Sequence, residues 1–236
     1  MEIQDCQITI ITPTTGKDSL FRLIESIERQ KISWVHILLW DSKREGTFLY
    51  PNPETYNESC PSDLAGYAQN GLRYCIDIPG SMVQGKAYGS ALRAIGLMAS
   101  NILYVTFADD DVWYENDHLE SLMDIVKGRN WAYCRRNIWA NKNEYIGVDN
   151  FESVGCSSDR KVPYEMVDNN SMIFSRRFGS SAAVLYRETK EYDDDRLMYD
   201  FLNHHAGSPG KTKKATVNQI CPVRLEKMFR SNCDVS

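Results

Sequence analysis

Three consecutive aspartates, Asp109, Asp110 and Asp111, stand close behind an unbroken apolar and aromatic run at residues 102–107. Such a run suits a central strand buried on both faces, and open α/β sheets bind ligands outside the carboxyl ends of their strands. Three carboxylates gathered there repel one another unless a cation or another donor compensates. On an extended backbone Asp109 and Asp111 point the same way, as oxygen ligands of Mg²⁺ or Mn²⁺ do. The competing reading is an acidic loop that caps the next helix. A second constellation, Gly80, Gly85 and Lys86, matches the G-x-x-x-x-G-K of a phosphate-binding loop. The next residue is Ala87, which lacks the hydroxyl that ligates magnesium in such loops, and two strands and a helix precede it, so the triplet is the stronger lead.

The elements that must position these residues follow from periodicity. In the first half, apolar strand-like runs alternate with helix-period segments, which predicts a mostly parallel sheet covered by helices, an α/β fold. Strands are expected at residues 7–12, 34–40, 72–78 and 102–107, with helices at 17–30 and 87–99. In the first helix Leu20, Leu23, Ile24 and Ile27 recur on one face. Residues 42–63, punctuated by Pro51, Pro53 and Pro61, read as a long loop. Beyond the triplet the signal is weaker: helices near 117–127 and 193–203, strands at 131–140 and 172–175, and a polar stretch at 151–170 that reads as a lid. One domain spans 1–236, with halves meeting near 125.

Composition narrows the function. The chain has 236 residues, 27 Lys+Arg against 32 Asp+Glu, and a net charge of -5, which argues against a general nucleic-acid binder. No apolar run approaches the roughly 20 residues of a membrane-spanning helix, and the stretch at 8–11 is too short for a signal peptide. Residues 211–230 hold six basic side chains against Glu226 alone. That segment reads as a solvated face, as a lid over a phosphorylated ligand, or as a contact with anionic lipid at the inner face of a membrane. Seven cysteines, odd in number and without a CxxC pair, point to reduced thiols in a cytoplasm.

The segments ITIITPTTGKDSLFRLIESIERQ, HILLWDS and ALRAIGLMASNILYVTFADDDVWYENDHLESL, in this order and spacing, resemble a GT-A fold glycosyltransferase, similar to glycosyltransferase family 2. The resemblance implies a Rossmann-like, mostly parallel sheet flanked by helices, with a smaller mixed sheet on the acceptor side. It implies that Thr12, Pro13 and Thr14 touch the nucleotide and that Asp41 binds the base. Asp109 and Asp110 then belong to the nucleotide-sugar site, with Asp109 on the sugar side, and Asp111 holds Mn²⁺ or Mg²⁺. Arg93 matches the family's Arg-Asn pair, but Ala94 replaces the asparagine. The family's catalytic base falls on Asp194 or Asp195 within the triplet Asp193, Asp194 and Asp195, and His204 or His205 falls near a metal- or diphosphate-contacting histidine. Trp113 and Tyr114 offer flat faces to a sugar ring or to the core.

The activity so implied is an inverting, metal-dependent hexosyltransferase-like reaction (EC 2.4). A sugar would pass from a nucleoside diphosphate donor, UDP-linked, to a glycan or lipid-linked glycan in bacterial surface polysaccharide synthesis. A nucleotidyltransferase of related fold and a non-catalytic nucleotide-sugar-binding protein are the alternatives.

Overall fold

A computed structural model describes residues 6–42, 60–79, 89–150, 152–155, 166–188 and 194–233. The phosphate-loop match at 80–87, Asp193 and most of the 42–63 loop lie outside them. The chain runs β1 (Ile8–Thr14), α1 (Ser19–Glu28), β2 (Trp34–Ser42), β3 (Gly66–Ala68), β4 (Gly71–Pro79), α2 (Ser90–Ala99), β5 (Tyr104–Phe107) and β6 (Val112–Tyr114). It continues through α3 (His118–Val126), β7 (Trp131–Asn141), β8 (Glu144–Val148), β9 (Met172–Ser175), α4 (Gly179–Glu188), α5 (Asp194–His205), β10 (Gly210–Ile220) and α6 (Val223–Asn232).

Among the described residues these strands form one sheet in the order β3-β4-β2-β1-β5-β9-β7-β10-β6, with β8 paired to β7. The four strands β4, β2, β1 and β5 are mutually parallel. Beyond β5 the sheet is mixed, because β9 runs antiparallel to β5 and to β7 while β10 is parallel to β7. The expected acceptor-side sheet is therefore a continuation of the first, joined edge to edge through β9. Helices cover both faces. Ile11, Phe107 and Phe174 join residues of α2, α4 and α5 in one core. Leu20, Leu23, Ile24 and Ile27 of α1 and Leu119, Leu122 and Val126 of α3 fill the other. Helix α2 lies so near β1 that a Cβ on Gly96 would come within 2.5 Å of Ile11 Cγ2.

Three expectations change. The segment 211–230 is neither lid nor continuous patch: its first half is β10, inside the sheet, and its second half is α6. Of the expected lid at 151–170, residues 151 and 156–165 lie outside the described ones, and the rest belong to the framework, with Asp168 N–H donating to Ser153 Oγ at 2.7 Å and Glu152 N–H to Asp149 Oδ1 at 3.0 Å. Reduced thiols fail at one pair, since Cys60 and Cys75 are joined as a disulfide; Cys6, Cys134, Cys221 and Cys233 are not disulfide-bonded. The disulfide and a bond from Cys60 N–H to Asp77 Oδ1 (2.8 Å) fasten the end of the long loop to β4. Among the described residues no helix is long and apolar enough to cross a membrane.

Candidate active site

The chain leaves β5 at Phe107 and turns sharply, with Val112 N–H donating to Asp109 O at 3.3 Å. The triplet is thus a turn and not the extended segment that alternation assumed, so its three side chains take separate directions. Asp110 is buried and points back at β1, accepting from Thr14 Oγ1 at 2.8 Å and from Lys17 Nζ at 2.9 Å. Its carboxylate is already neutralised, which makes it a brace between two strand ends instead of a ligand contact. The Thr14 hydroxyl also accepts from Gly16 N–H at 2.9 Å. Burial works against the charge on Lys17, but Asp110, then Asp111 and Asp109, outweigh it and raise its pKa.

Asp109 is held from two sides. Arg93, from the first turns of α2, reaches its Oδ1 through NH2. Asn170, just before β9, accepts from Asp109 N–H at 2.6 Å and donates to Asp109 Oδ2 at 3.1 Å. The other arm of Arg93 donates to Asp194 Oδ2 at 2.9 Å, an oxygen that Ser90 Oγ also reaches at 3.2 Å. Burial opposes the Arg93 charge, but Asp109 and Asp194 beside it raise its pKa. Asp195, the next residue of α5, has no ion-pair partner among the described residues and accepts from Asn169 N–H at 2.9 Å. Burial first, then Asp168 and Asp194, hold its carboxyl well above the usual range.

Behind Asn170 lies a second buried cation. Asn170 Nδ2 donates to Asp168 Oδ1 at 2.8 Å, and Asp168 Oδ2 accepts from Arg136 NH1 at 2.6 Å. Arg136 also donates to Asp149 Oδ2 at 2.8 Å, to Gln219 Oε1 at 2.7 Å and to Glu152. Charges alternate through this frame from Arg136 to Asp168, across Asn170 to Asp109, Arg93 and Asp194. Sequence reading overlooked Asn169, Asn170 and Arg136. The available signal was a polar run, Asp168 to Ser171, standing directly before an apolar strand.

Asp111 alone of the triplet is exposed. Withdrawal from bulk water and then Asp109 lift its carboxyl to about 6, with Lys17 opposing. Among the described residues no three His, Cys, Asp or Glu converge as a ready-made metal cage. One carboxylate whose ionisation is opposed by neighbouring carboxylates fits a magnesium- or manganese-type ion that takes its remaining ligands from phosphate and water.

The sign of the pH effect is fixed by these shifts. An unfolded aspartate titrates near 4, so the stability that Asp111 contributes is full below about pH 4 and is lost as pH rises through about 6. Asp194 and Asp195 are raised too, burial being the first cause for each. The ligand-free protein is expected to melt higher at pH 5 than at pH 7.5. A flat or falling melting temperature toward pH 5 contradicts the crowding of these carboxylates.

Other expected residues fare unequally. Asp41 is buried at the end of β2, one residue past Trp40, which pairs with Thr14, and so shares the edge with the triplet. Two strand spacings put it about 10 Å from β5. Thr12 is not open to a ligand: its hydroxyl meets His36 Nε2 at 2.9 Å, and His36 Nδ1 accepts from Arg73 Nε at 3.2 Å. Burial first, then Arg73, lowers the His36 pKa well below the ordinary value. Pro13 is buried against the start of α2, where a Cβ on Gly89 would lie 3.0 Å from its Cγ. His205 is not brought to the cleft, because it ends the twelve-residue helix that Asp194 begins, roughly 16 Å away along the axis. Its neighbour Ala206 is tied by its carbonyl to Asn130 Nδ2 (2.7 Å) at the start of β7.

No protein-family model matches the sequence, and no curated protein matches it. Solved structures do match in fold. TarS 1–349 of S. aureus in complex with UDP superposes with a TM-score of 0.59 at 13% identity, over 98% of this chain and 67% of that one. The same protein in complex with UDP-GlcNAc gives 0.56 at 15% identity, over 98% and 62%. In a longer TarS structure the match covers 98% of this chain and 40% of that one, with a TM-score of 0.59 at 13% identity. The architecture is that GT-A-like α/β arrangement, a large central sheet flanked by helices.

Proposed function

We propose that the chain is an inverting glycosyltransferase that moves a sugar from a nucleoside diphosphate donor, UDP-linked, to a hydroxyl of a glycan or lipid-linked glycan, in bacterial surface polysaccharide synthesis. The observation that carries this reading is the cluster of carboxylates at the carboxyl edge of β1, β2 and β5, in a fold shared with a protein solved with UDP and UDP-GlcNAc. Asp41 would take the base and Asp109 the sugar side, in the orientation set by Arg93 and Asn170. Asp111 would hold Mn²⁺ or Mg²⁺, which when bound neutralises the leaving diphosphate. Asp195 suits the base better than Asp194, whose carboxylate is already claimed by Arg93 and Ser90. The acceptor oxygen bonds to the anomeric carbon, the bond from that carbon to the diphosphate breaks, and the hydroxyl proton passes to Asp195. A single displacement inverts the anomeric centre.

Incubation with UDP-GlcNAc and Mn²⁺, followed by chromatography and proton NMR, tests this. UDP release with β-GlcNAc appearing first, water standing in for the acceptor, supports inverting sugar transfer. UMP release points to a nucleotidyltransferase. Donor binding without turnover on any acceptor points to a binding protein. Asp41→Ala is expected to weaken UDP binding and blur the preference for UDP over GDP, while the Mn²⁺ requirement stays; unchanged affinity and preference, read by calorimetry, would take Asp41 out of the site.

A further inference from the structure

The amino-terminal edge of the sheet, opposite the cleft, gathers basic residues from distant parts of the chain. Arg129 stands before β7, Arg176 and Arg177 follow β9, and Lys211 and Lys213 open β10. Hydrogen bonds make the edge continuous. Arg129 NH1 donates to Ser208 O at 3.4 Å, Trp131 Nε1 to Gly207 O at 2.6 Å, Ser175 N–H to Asn130 O at 2.7 Å, and Arg176 N–H to Leu103 O at 2.9 Å. Among the described residues Arg129, Arg177, Lys211 and Lys213 are exposed and have no ion-pair partner. Two nearby acids are occupied, Asp124 by Lys127 and Asp117 by Lys214. Beside the cations, before β5 and at the end of α2, stand two large apolar side chains, Leu103 at 63% and Met98 at 60% exposed. The opposite edge carries Asp41, Asp109, Asp111, Asp168, Asp194 and Asp195, but there Arg93 and Arg136 pair with three of them, whereas the cations of the amino-terminal edge stand without such partners among the described residues.

We propose that this edge docks the protein on an anionic phospholipid surface, the cations facing the headgroups and Leu103 and Met98 entering the interface. Charge complementarity with protruding apolar residues selects a bilayer over a soluble polyanion, to which exposed leucine and methionine add nothing. The segment 211–230 does not act as a unit here. Lys211 and Lys213 lie on the docking edge, whereas Arg224 and Lys227 follow a strand that carries the chain roughly 30 Å to the other end. Five residues, four of them in β5, separate Leu103 from Asp109, so the carboxylate site lies roughly 15–20 Å from the lipid at the far edge of the sheet. A substrate entering it must project from the membrane.

Flotation with vesicles of phosphatidylcholine containing about one third phosphatidylglycerol tests the proposal. The wild type is expected to float with these vesicles, not with phosphatidylcholine alone, and to be released by added salt. Each lysine or arginine near such a surface strengthens partitioning about fivefold. Lys211→Glu with Lys213→Glu should therefore lower it more than tenfold, and Leu103→Ser should lower it further without altering the salt response. Arg224→Glu with Lys227→Glu, an equal charge change on α6, should leave flotation unchanged, and matching melting temperatures for all variants exclude misfolding. The proposal is overturned if the wild type does not float, if the α6 variant is the one that fails, or if Leu103→Ser has no effect while soluble polyanions compete as well as vesicles do.

Discussion

Asp195→Asn is expected to lower turnover by roughly 10²- to 10⁴-fold, the range that a positioned general base contributes, with donor affinity nearly intact. The substitution is clean in structural terms. Asn keeps an oxygen to accept the Asn169 N–H bond, now 2.9 Å, and removes a carboxyl whose ionisation burial, Asp168 and Asp194 all oppose. Stability should hold or rise near neutral pH. Asp194→Asn makes the contrast, because it removes the negative charge that Arg93 NH1 meets at 2.9 Å and so weakens that contact while leaving an oxygen in place. It also loosens the arginine that holds Asp109, so donor affinity should fall along with turnover. Measuring turnover, donor affinity and melting temperature on both variants separates the roles. Wild-type turnover by Asp195→Asn would move the base out of this helix.

The second large effect concerns stability. Arg136→Met should unfold the protein on the order of 10 °C below the wild type. Its guanidinium serves Asp149, Asp168 and Glu152 while nearly sealed from water, and removing one partner of a buried ion pair costs about 3–5 kcal/mol. At this chain length each kcal/mol shifts the melting temperature by about 2–4 °C. Part of the loss should return at acid pH, where Glu152, whose pKa is raised chiefly by burial, takes up a proton. Calorimetric melting at pH 5 and pH 7.5 checks both statements. A loss of only a degree or two would mean that water already screens the cluster.

The parts of this account that were legible in the sequence are those fixed by local pattern. The apolar run before Asp109 marked a central strand, the spacing of Leu20, Leu23, Ile24 and Ile27 marked α1, and the order of the quoted segments placed Asp41 and Asp109 on one edge. What stayed hidden depends on partners far along the chain. Asn170 meets Asp109 across 61 residues, and Arg136 meets Gln219 across 83; no periodicity encodes either. The turn at Asp109 decided which aspartate faces the cleft and which braces Thr14 and Lys17. Residues 211–230 misled because a charge run ignores backbone pairing, and a strand can carry lysines when its edge faces water. His205 failed because position in sequence was taken for position in space, and one helix length lies between them.

The claim at the centre is that the carboxyl edge holds a nucleoside diphosphate sugar through a cation at Asp111. Titration calorimetry of UDP-GlcNAc into wild type and Asp111→Asn, each with and without Mn²⁺, addresses it directly. Wild type should bind only with Mn²⁺, and Asp111→Asn should bind in neither condition while melting no lower than wild type at pH 7.5, since it removes a crowded carboxylate. Equal Mn²⁺-dependent binding by both proteins, or none by the wild type, would contradict the account.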